Sequence, residues 1–552
     1  MLLVLLRRYS ISLLIISLYL ISLTLSTLLQ SSPTTTCSIS SQQYDALYAL
    51  YTSTNGTGWL NRCNKNWIFS SIPDYNAPCN NGWNGVKCNT QCQVTELNVQ
   101  ACQLDGTIPS QLGYLASIQQ LNLNDNSLSG TIPTEIGYMN KIQKLYMNIN
   151  SLSGTIPSQL GNMTKLTIFW IYSNSLTGTI PTQLGSMTNM LYIWLNNNLL
   201  SGTIPTEMGF MTSMEQFYLY SNSLTGTIPS HLGSMTNMQY LDLSSNSLTG
   251  TIPSQLESMT TMQYLFLYNN CLTGTILSQL GSMANMTNLW LYSNSLTGTI
   301  PSQLGSMASL QYLFLYSNSL TGTIPTQLGS LTSITNLWLY SNSLTGTIPS
   351  QLGSIPSMIT LYLNSNSLKG TIPSQLGINT LEFLYLQDNS LTGLIPSSIL
   401  KLPRLTSINL SDNRHLGGNI TFLFSSNTST SLQYIILSSM SLTGSLPASL
   451  FSLPHLDTLI LSSNCITGTL SSSVCSTKNL SSLILDGVGA GSSCSKNRHS
   501  SFHGTMPSCL FSMPSLRTLH LAGNGLTGTL PELSVVSNIS TLSLTSNRLT
   551  GN

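Results

Sequence analysis

From Leu97 onward, hydrophobic and polar positions follow one fixed template. Alternating leucines, as in Leu313-x-Leu315, precede Asn318, and then come Leu320, Gly322, Ile324-Pro325 and Gln327-Leu328-Gly329. Alternation at period two predicts a short strand with its leucines on one face. The template recurs at Asn126, Asn150, Asn174, Asn198, Asn222, Asn246, Asn270, Asn294, Asn318, Asn342 and Asn366, each 24 residues after the last. It loosens through Asn389, Asn413, Met440, Asn464, Val488, Asn524 and Asn547, and Cys102 lies one period before Asn126, giving about 19 units.

Each position has a physical reason. One coil cannot bury its leucines alone, so neighbouring coils must stack into a continuous core, at roughly 4.8 Å per strand. The asparagine amide suits a turn in which backbone groups would otherwise be buried unpaired. Gly322 permits the turn, Pro325 suits an edge because it lacks a backbone donor, and Gln327-Leu328-Gly329 predicts a short helical or 3₁₀ arc with Leu328 inward. The expected fold class is therefore an α/β solenoid with a parallel sheet. The three or four domains expected for 552 residues give way to one repeating body.

Ahead of the repeats, Arg7 and Arg8 precede an apolar run from Ile11 to Leu29, followed by Ser31, Ser32 and Pro33. This order predicts a secretory signal peptide, or a signal-anchor, over 1–32. A cysteine-containing cap is expected over 33–96 and the solenoid over 97–552, with an inserted loop near 487–503. Sequons at Asn55, Asn162, Asn285, Asn409, Asn419, Asn427, Asn479 and Asn538 are candidate glycan acceptors. Cysteines cluster at both ends: Cys37, Cys63, Cys79, Cys88, Cys92 and Cys102, then Cys465, Cys475, Cys494 and Cys509. On the oxidising side of a membrane such clusters read as disulfides. Cys271 and Cys465 stand eight coils apart and cannot pair, so Cys271 is read as a free or intermolecular thiol and Cys102 as a buried substitute for the ladder asparagine.

The sequence resembles the plant-type leucine-rich-repeat class, whose hallmark is LxxLxLxxNxLxGxIPxxLGxLxx, over residues 97–552. Receptor-like proteins, receptor-kinase ectodomains and cell-wall hydrolase inhibitors share that hallmark. The resemblance implies a right-handed superhelical horseshoe with a parallel concave sheet and a second small sheet formed by the GTIP element. The stretch Asp45 to Tyr51, Asn55-Gly56-Thr57-Gly58-Trp59, Trp67 and Cys79…Trp83-x-Gly85-Val86-x-Cys88 is similar to the family's N-terminal cap. There the last two cysteines are bonded, which implies a Cys79–Cys88 disulfide closing one end of the core.

Residues between the strand leucines face the concave surface. One lane reads Trp170, Trp194, Tyr218, Asp242, Phe266, Trp290, Phe314, Trp338, Tyr362 and Tyr385. A second contributes Tyr172, Tyr220, Tyr268, Tyr292, Tyr316 and Tyr340, and a third Tyr192, Tyr240, Tyr264, Tyr312 and Phe383. Aromatics on an open sheet are expected to form an exposed patch that binds a partner. The competing reading is a structural ladder of mutually stabilising rings, copied by duplication of near-identical coils.

Only 6% of residues are charged and the net charge is +1, with no basic stripe, which argues against nucleic acid as a partner. Cys494, His499, His503 and Cys509 have spacing that could hold zinc, although disulfides suit an oxidising compartment better. Gly487-x-Gly489-x-Gly491 reads as loop and Ser493-x-x-Lys496 as chance. No acid–base constellation is evident, so no enzyme, cofactor or resident metal is expected. The expected function is extracellular or cell-surface recognition of a peptide, glycan or protein. The alternatives are a secreted inhibitor of cell-wall hydrolases or a structural, adhesive surface glycoprotein. The chain stops at Gly551-Asn552 in mid-coil without a capping sequence, which suggests a partial gene: a spanning helix or kinase beyond it would decide for a receptor, and a true stop would favour the two alternatives.

Overall fold

The computed structural model describes residues 37–424, 428–491, 494, 502–530 and 538–550. The leader segment 1–32 and Asn427 lie outside the described residues. The structure is a leucine-rich-repeat solenoid. Each coil contributes a three-residue strand such as Asn336–Trp338, and successive strands join a sheet of 20 strands. Pairing is parallel and in register, with Leu313 opposite Leu337 and Leu337 opposite Leu361. The first strand, Val86–Cys88, instead runs antiparallel to Val94–Asn98 and closes the sheet.

The asparagine ladder makes this register specific. Asn318 Nδ2 donates to the carbonyls of Leu291 (3.1 Å) and Leu315 (3.1 Å), while its Oδ1 accepts from the Leu296 N–H (3.0 Å). One amide thus satisfies groups of its own coil and of the coil before it. The residue preceding it, Ser317, turns the chain with a left-handed φ of 53°.

On the return path, the predicted second sheet forms along the GTIP element. Its strands Asp105–Thr107, Ser127–Thr131, Ser151–Thr155 and Ser175–Thr177 make one four-stranded sheet, and single bridges such as Thr323 to Thr345 continue the pattern. Gly322 sits at φ 75°, where a Cβ would come within 2.7 Å of Thr299 Cγ2. The convex arc is a 3₁₀ helix, Thr326–Ser330, with Leu328 buried. Gly329 lets it approach the next coil, since a Cβ there would meet Gln351 O at 2.5 Å.

The cap has its own aromatic core. Helix Ser41–Ser53 is capped by Ser40, whose hydroxyl accepts from the Gln43 N–H, and buries Tyr44, Ala46, Leu47 and Leu50. Those residues face Trp59, Trp67, Phe69 and Trp83, with Trp67 and Trp83 stacked at 5.1 Å. Disulfides Cys79–Cys88, Cys37–Cys92 and Cys63–Cys102 tie the cap together. Cys102 does not replace the ladder asparagine as a buried thiol: it is bonded to Cys63, 39 residues back. Its slot is the first on the ladder, where the cap docks, so the sulfur fastens cap to solenoid.

At the far end, Cys465 pairs with Cys494 and Cys475 with Cys509. Both candidate zinc thiols are therefore consumed as disulfides, and His499 lies outside the described residues. Cys271 is a free, exposed cysteine. Among the described residues no helix is long and apolar enough to cross a membrane.

Candidate functional site on the concave sheet

Because the strands stack in register, equivalent outward side chains of successive coils meet directly. Trp170 and Trp194 stack at 4.2 Å with planes 6° apart, and Trp194 continues onto Tyr218 at 5.1 Å. After Asp242 a second run begins: Phe266 to Trp290 (4.3 Å), Phe314 (5.2 Å), Trp338 (4.2 Å), Tyr362 (5.1 Å) and Tyr385 (4.6 Å). Beside it, Tyr268, Tyr292, Tyr316 and Tyr340 form a parallel stack at 4.3–4.5 Å. In the third lane Tyr240 stacks on Tyr264 at 4.3 Å, whereas Tyr172 and Tyr220 are tilted against Trp170 and Tyr218.

The geometry corrects one expectation. The lane rings do not form a broadly exposed patch: they are half-buried, and Phe314 is only 7% exposed. Their faces are covered by neighbours in the stack, leaving ring edges and tyrosine hydroxyls toward the groove. Offset stacking of this kind contributes roughly 0.5–1.5 kcal/mol per pair beyond area burial. Part of the lane's role is therefore to stiffen the sheet.

The groove is close to uncharged. Between Trp170 and Tyr385, Asp242 is the one charged residue in the three lanes. Burial raises its carboxyl to about 6, against the opposing hydrogen bonds from the Ser244 hydroxyl (2.6 Å) and N–H (3.0 Å). Burial also pushes Tyr292, Tyr340 and Tyr362 up to about 12, reinforced by neighbouring tyrosines, and raises Tyr218, Tyr220 and Tyr316 as well. These phenols stay neutral and offer hydroxyl donors.

Several partners of the lanes escaped the sequence reading. Thr360 Oγ1 accepts from Trp338 Nε1 (2.7 Å), the Tyr385 hydroxyl pairs with Ser407 Oγ (3.1 Å), and Tyr192 donates to Glu215 (3.0 Å). In the first two cases the partner lies 22 residues on, at the start of the next strand, a diagonal that the register of the sheet makes legible. By contrast, the Nε1 atoms of Trp170, Trp194 and Trp290 are buried without a hydrogen-bond partner.

The glycan candidates divide by exposure. Asn55, Asn162, Asn285, Asn479 and Asn538 are exposed. Asn409 lies half-buried on the concave strand and accepts from the Ser411 N–H (3.1 Å), and Asn419 caps a short helix through Thr421 N (3.0 Å).

These features define a leucine-rich-repeat protein with an aromatic concave face. The Leucine Rich Repeat family model matches residues 117–139, 213–235, 237–259, 285–307, 309–331, 333–355, 380–402 and 515–534. No curated protein matches the sequence significantly. Among solved structures, the chain is similar to the PEPR1-AtPEP1 structure, at 26% identity and TM-score 0.69, covering 92% of this chain and 82% of that one. It is similar to the Arabidopsis receptor kinase HAESA in complex with the peptide hormone IDA and the co-receptor SERK1: 26% identity, TM-score 0.63, covering 93% and 95%. The plant peptide hormone receptor RGFR1 in complex with RGF2 matches at 28% identity and TM-score 0.56, covering 86% and 96%. The solenoid is thus similar in fold to plant receptor-kinase ectodomains.

Proposed function

We propose that this chain acts outside the cell or at its surface as a receptor-like recognition protein, holding an extended peptide along the lanes between Trp170 and Tyr385. The observation carrying this reading is the unbroken run of six stacked rings from Phe266 to Tyr385 on an open, nearly uncharged sheet. Ring edges and neutral tyrosine hydroxyls suit a peptide backbone, which offers donors, acceptors and apolar side chains in alternation. The similar solved structures named above include a peptide hormone receptor and a receptor kinase with its peptide hormone. The five disulfides and the exposed sequons support an extracellular setting, with 1–32 as the leader and Asn55, Asn162, Asn285, Asn479 and Asn538 as the favoured glycan sites.

The probe is a display library of random linear peptides panned on the full chain. Enriched peptides should lose at least tenfold in retention on Trp290→Ala/Phe314→Ala/Trp338→Ala. Since removing Phe314 also thins the stack, a second variant, Tyr292→Phe/Tyr316→Phe/Tyr340→Phe, keeps the rings and deletes the hydroxyls. No enrichment by the unaltered chain, or enriched peptides equally retained by both variants, would sink the reading and leave the lanes a structural ladder.

A further inference from the structure

On the opposite flank of each coil, the GTIP element and the 3₁₀ arc enclose an open trough that the concave-face reading does not use. One stretch, of about 740 Å³, is lined by Thr275, Thr299 and Thr323 on one rim and Gln279, Gln303 and Gln327 on the other, over an Ile-Pro floor in which Leu277 replaces one proline. A second stretch of about 720 Å³ repeats the arrangement near Thr155 and Gln183. No charged residue lines either stretch.

The rims carry more regularity than packing requires. The exposed glutamine recurs without exception at Gln255, Gln279, Gln303, Gln327, Gln351 and Gln375. What the fold needs from that position is its backbone, which abuts the glycine of the preceding coil, as Gln351 O does at Gly329. Glu135, Glu207 and His231 meet the same need against Gly113, Gly185 and Gly209. Packing therefore accepts other side chains, yet six consecutive coils keep glutamine. Over the same coils the concave lane changes from Phe266 to Trp290, Phe314, Trp338 and Tyr362. A face that varies from coil to coil suits an irregular ligand, whereas a face that repeats suits a partner that itself repeats.

The rim side chains are also pre-oriented. Ser278, Ser302 and Thr326 donate to Oε1 of Gln279, Gln303 and Gln327 at 3.2–3.4 Å. Among the described residues, no hydrogen bond engages the Nε2 of these amides, so each presents a donor to the trough. Facing them across the floor stand the exposed threonines.

We propose that the trough from Gln255 to Gln375 binds a neutral, linear β-1,4-linked polysaccharide, about one sugar unit per coil. The half-exposed Leu277, Pro301 and Pro325 of the floor match the C–H face of a pyranose ring, and amide and hydroxyl rims on both sides match the hydroxyls that such a ribbon directs alternately to its two edges. At about 4.8 Å per coil, six coils span roughly 24 Å between the first and last glutamine. The absence of charge along the central stretch from Thr275 to Gln327 disfavours an anionic glycan as the partner.

The probes are microcrystalline cellulose and soluble cellohexaose, with polygalacturonate as the anionic counterpart, applied to the full chain. The chain should be retained on cellulose, compete with cellohexaose, and ignore polygalacturonate. Changing the six glutamines from Gln255 to Gln375 to alanine should lower retention at least tenfold, and Ser278→Ala/Ser302→Ala/Thr326→Ala should lower it severalfold by releasing the amides. Tyr292→Phe/Tyr316→Phe/Tyr340→Phe on the concave face should leave retention unchanged, which separates this proposal from the peptide reading. No retention by the unaltered chain, preference for polygalacturonate, or a glutamine variant that folds and binds normally would each overturn it.

Discussion

The coils from Asn126 to Asn366 and those from Asn389 to Asn547 obey the same template but are held together differently. In the first group every coil has 24 residues, every ladder position is asparagine, and the concave lane is mostly aromatic. In the second the ladder position becomes Met440 and then Val488, and the lane turns to Asn409, Ile436, Ile460, Ile484 and His520. With no amide at Met440, the Leu416 N–H turns to the carbonyl of Asn413 (2.9 Å). Where Val488 replaces asparagine, its own carbonyl accepts from the Ile466 N–H (3.0 Å), and Cys465–Cys494 and Cys475–Cys509 bracket the inserted loop. Identical coils are secured by side-chain amides repeated in register. Irregular coils are secured by local backbone repair and covalent bonds, as expected where neighbour-to-neighbour terms set the stability of a solenoid.

The contrast can be broken most forcefully at a ladder amide. Asn318→Ala leaves the Leu296 N–H without its partner and takes one of two amide donors from each of the carbonyls of Leu291 and Leu315, which keep Asn294 and Asn342. At roughly 1–3 kcal/mol for the orphaned N–H and about 0.5–1.5 kcal/mol for each of the two hydrogen bonds lost, the cost should reach about 2–6 kcal/mol in urea denaturation. A loss under about 1 kcal/mol would mean that the regular coils can repair themselves as the coil at Met440 does.

Next in size is the distal disulfide. Cys475→Ser/Cys509→Ser opens a link spanning 34 residues, which should cost about 3 kcal/mol. Hydrogen exchange should rise in the strands Thr458–Ile460, Ser482–Ile484 and Thr518–His520, while Asn336–Trp338 stays protected. Uniform exchange along the chain would show instead that the two groups of coils open as one unit.

How much of this was readable beforehand follows from the same contrast. The solenoid, the inward leucines and the role of asparagine are written at one period, so spacing alone reveals them. The Cys63–Cys102 bond is not periodic: it joins the cap to the first coil, and at Cys102 the repeat suggested only a substitute for asparagine. The lane residues were visible but their exposure was not. Whether a ring shows its face or its edge depends on its neighbour 24 residues away, and one sequence line does not carry that angle. The trough is not legible in the sequence, because an exposed glutamine beside a buried leucine has the pattern of any solvated turn.

The smallest of these effects lies at Asp242, where the regular half departs from its own rule by placing a carboxylate among aromatic lane residues. Asp242 is 9% exposed, and burial lifts its carboxyl from 3.8 to about 6. The folded chain therefore holds this proton more tightly than the unfolded chain does. Stability should fall as pH rises from about 4 to about 6 and then level off, with the charged form costing up to about 3 kcal/mol. Asp242→Asn keeps an acceptor for the Ser244 hydroxyl and N–H but cannot ionise. It should flatten that slope and stabilise the chain at pH 7 by about 2–3 kcal/mol, read as a shift in urea midpoint measured from pH 4 to pH 7. Unaltered protein with a flat profile across that range would show that Asp242 sits comfortably as an anion. If the slope is present, the regular half carries a destabilising carboxylate on the face proposed to bind a ligand, and selection for binding, not for a stiff ladder, is the simpler reason for it to persist.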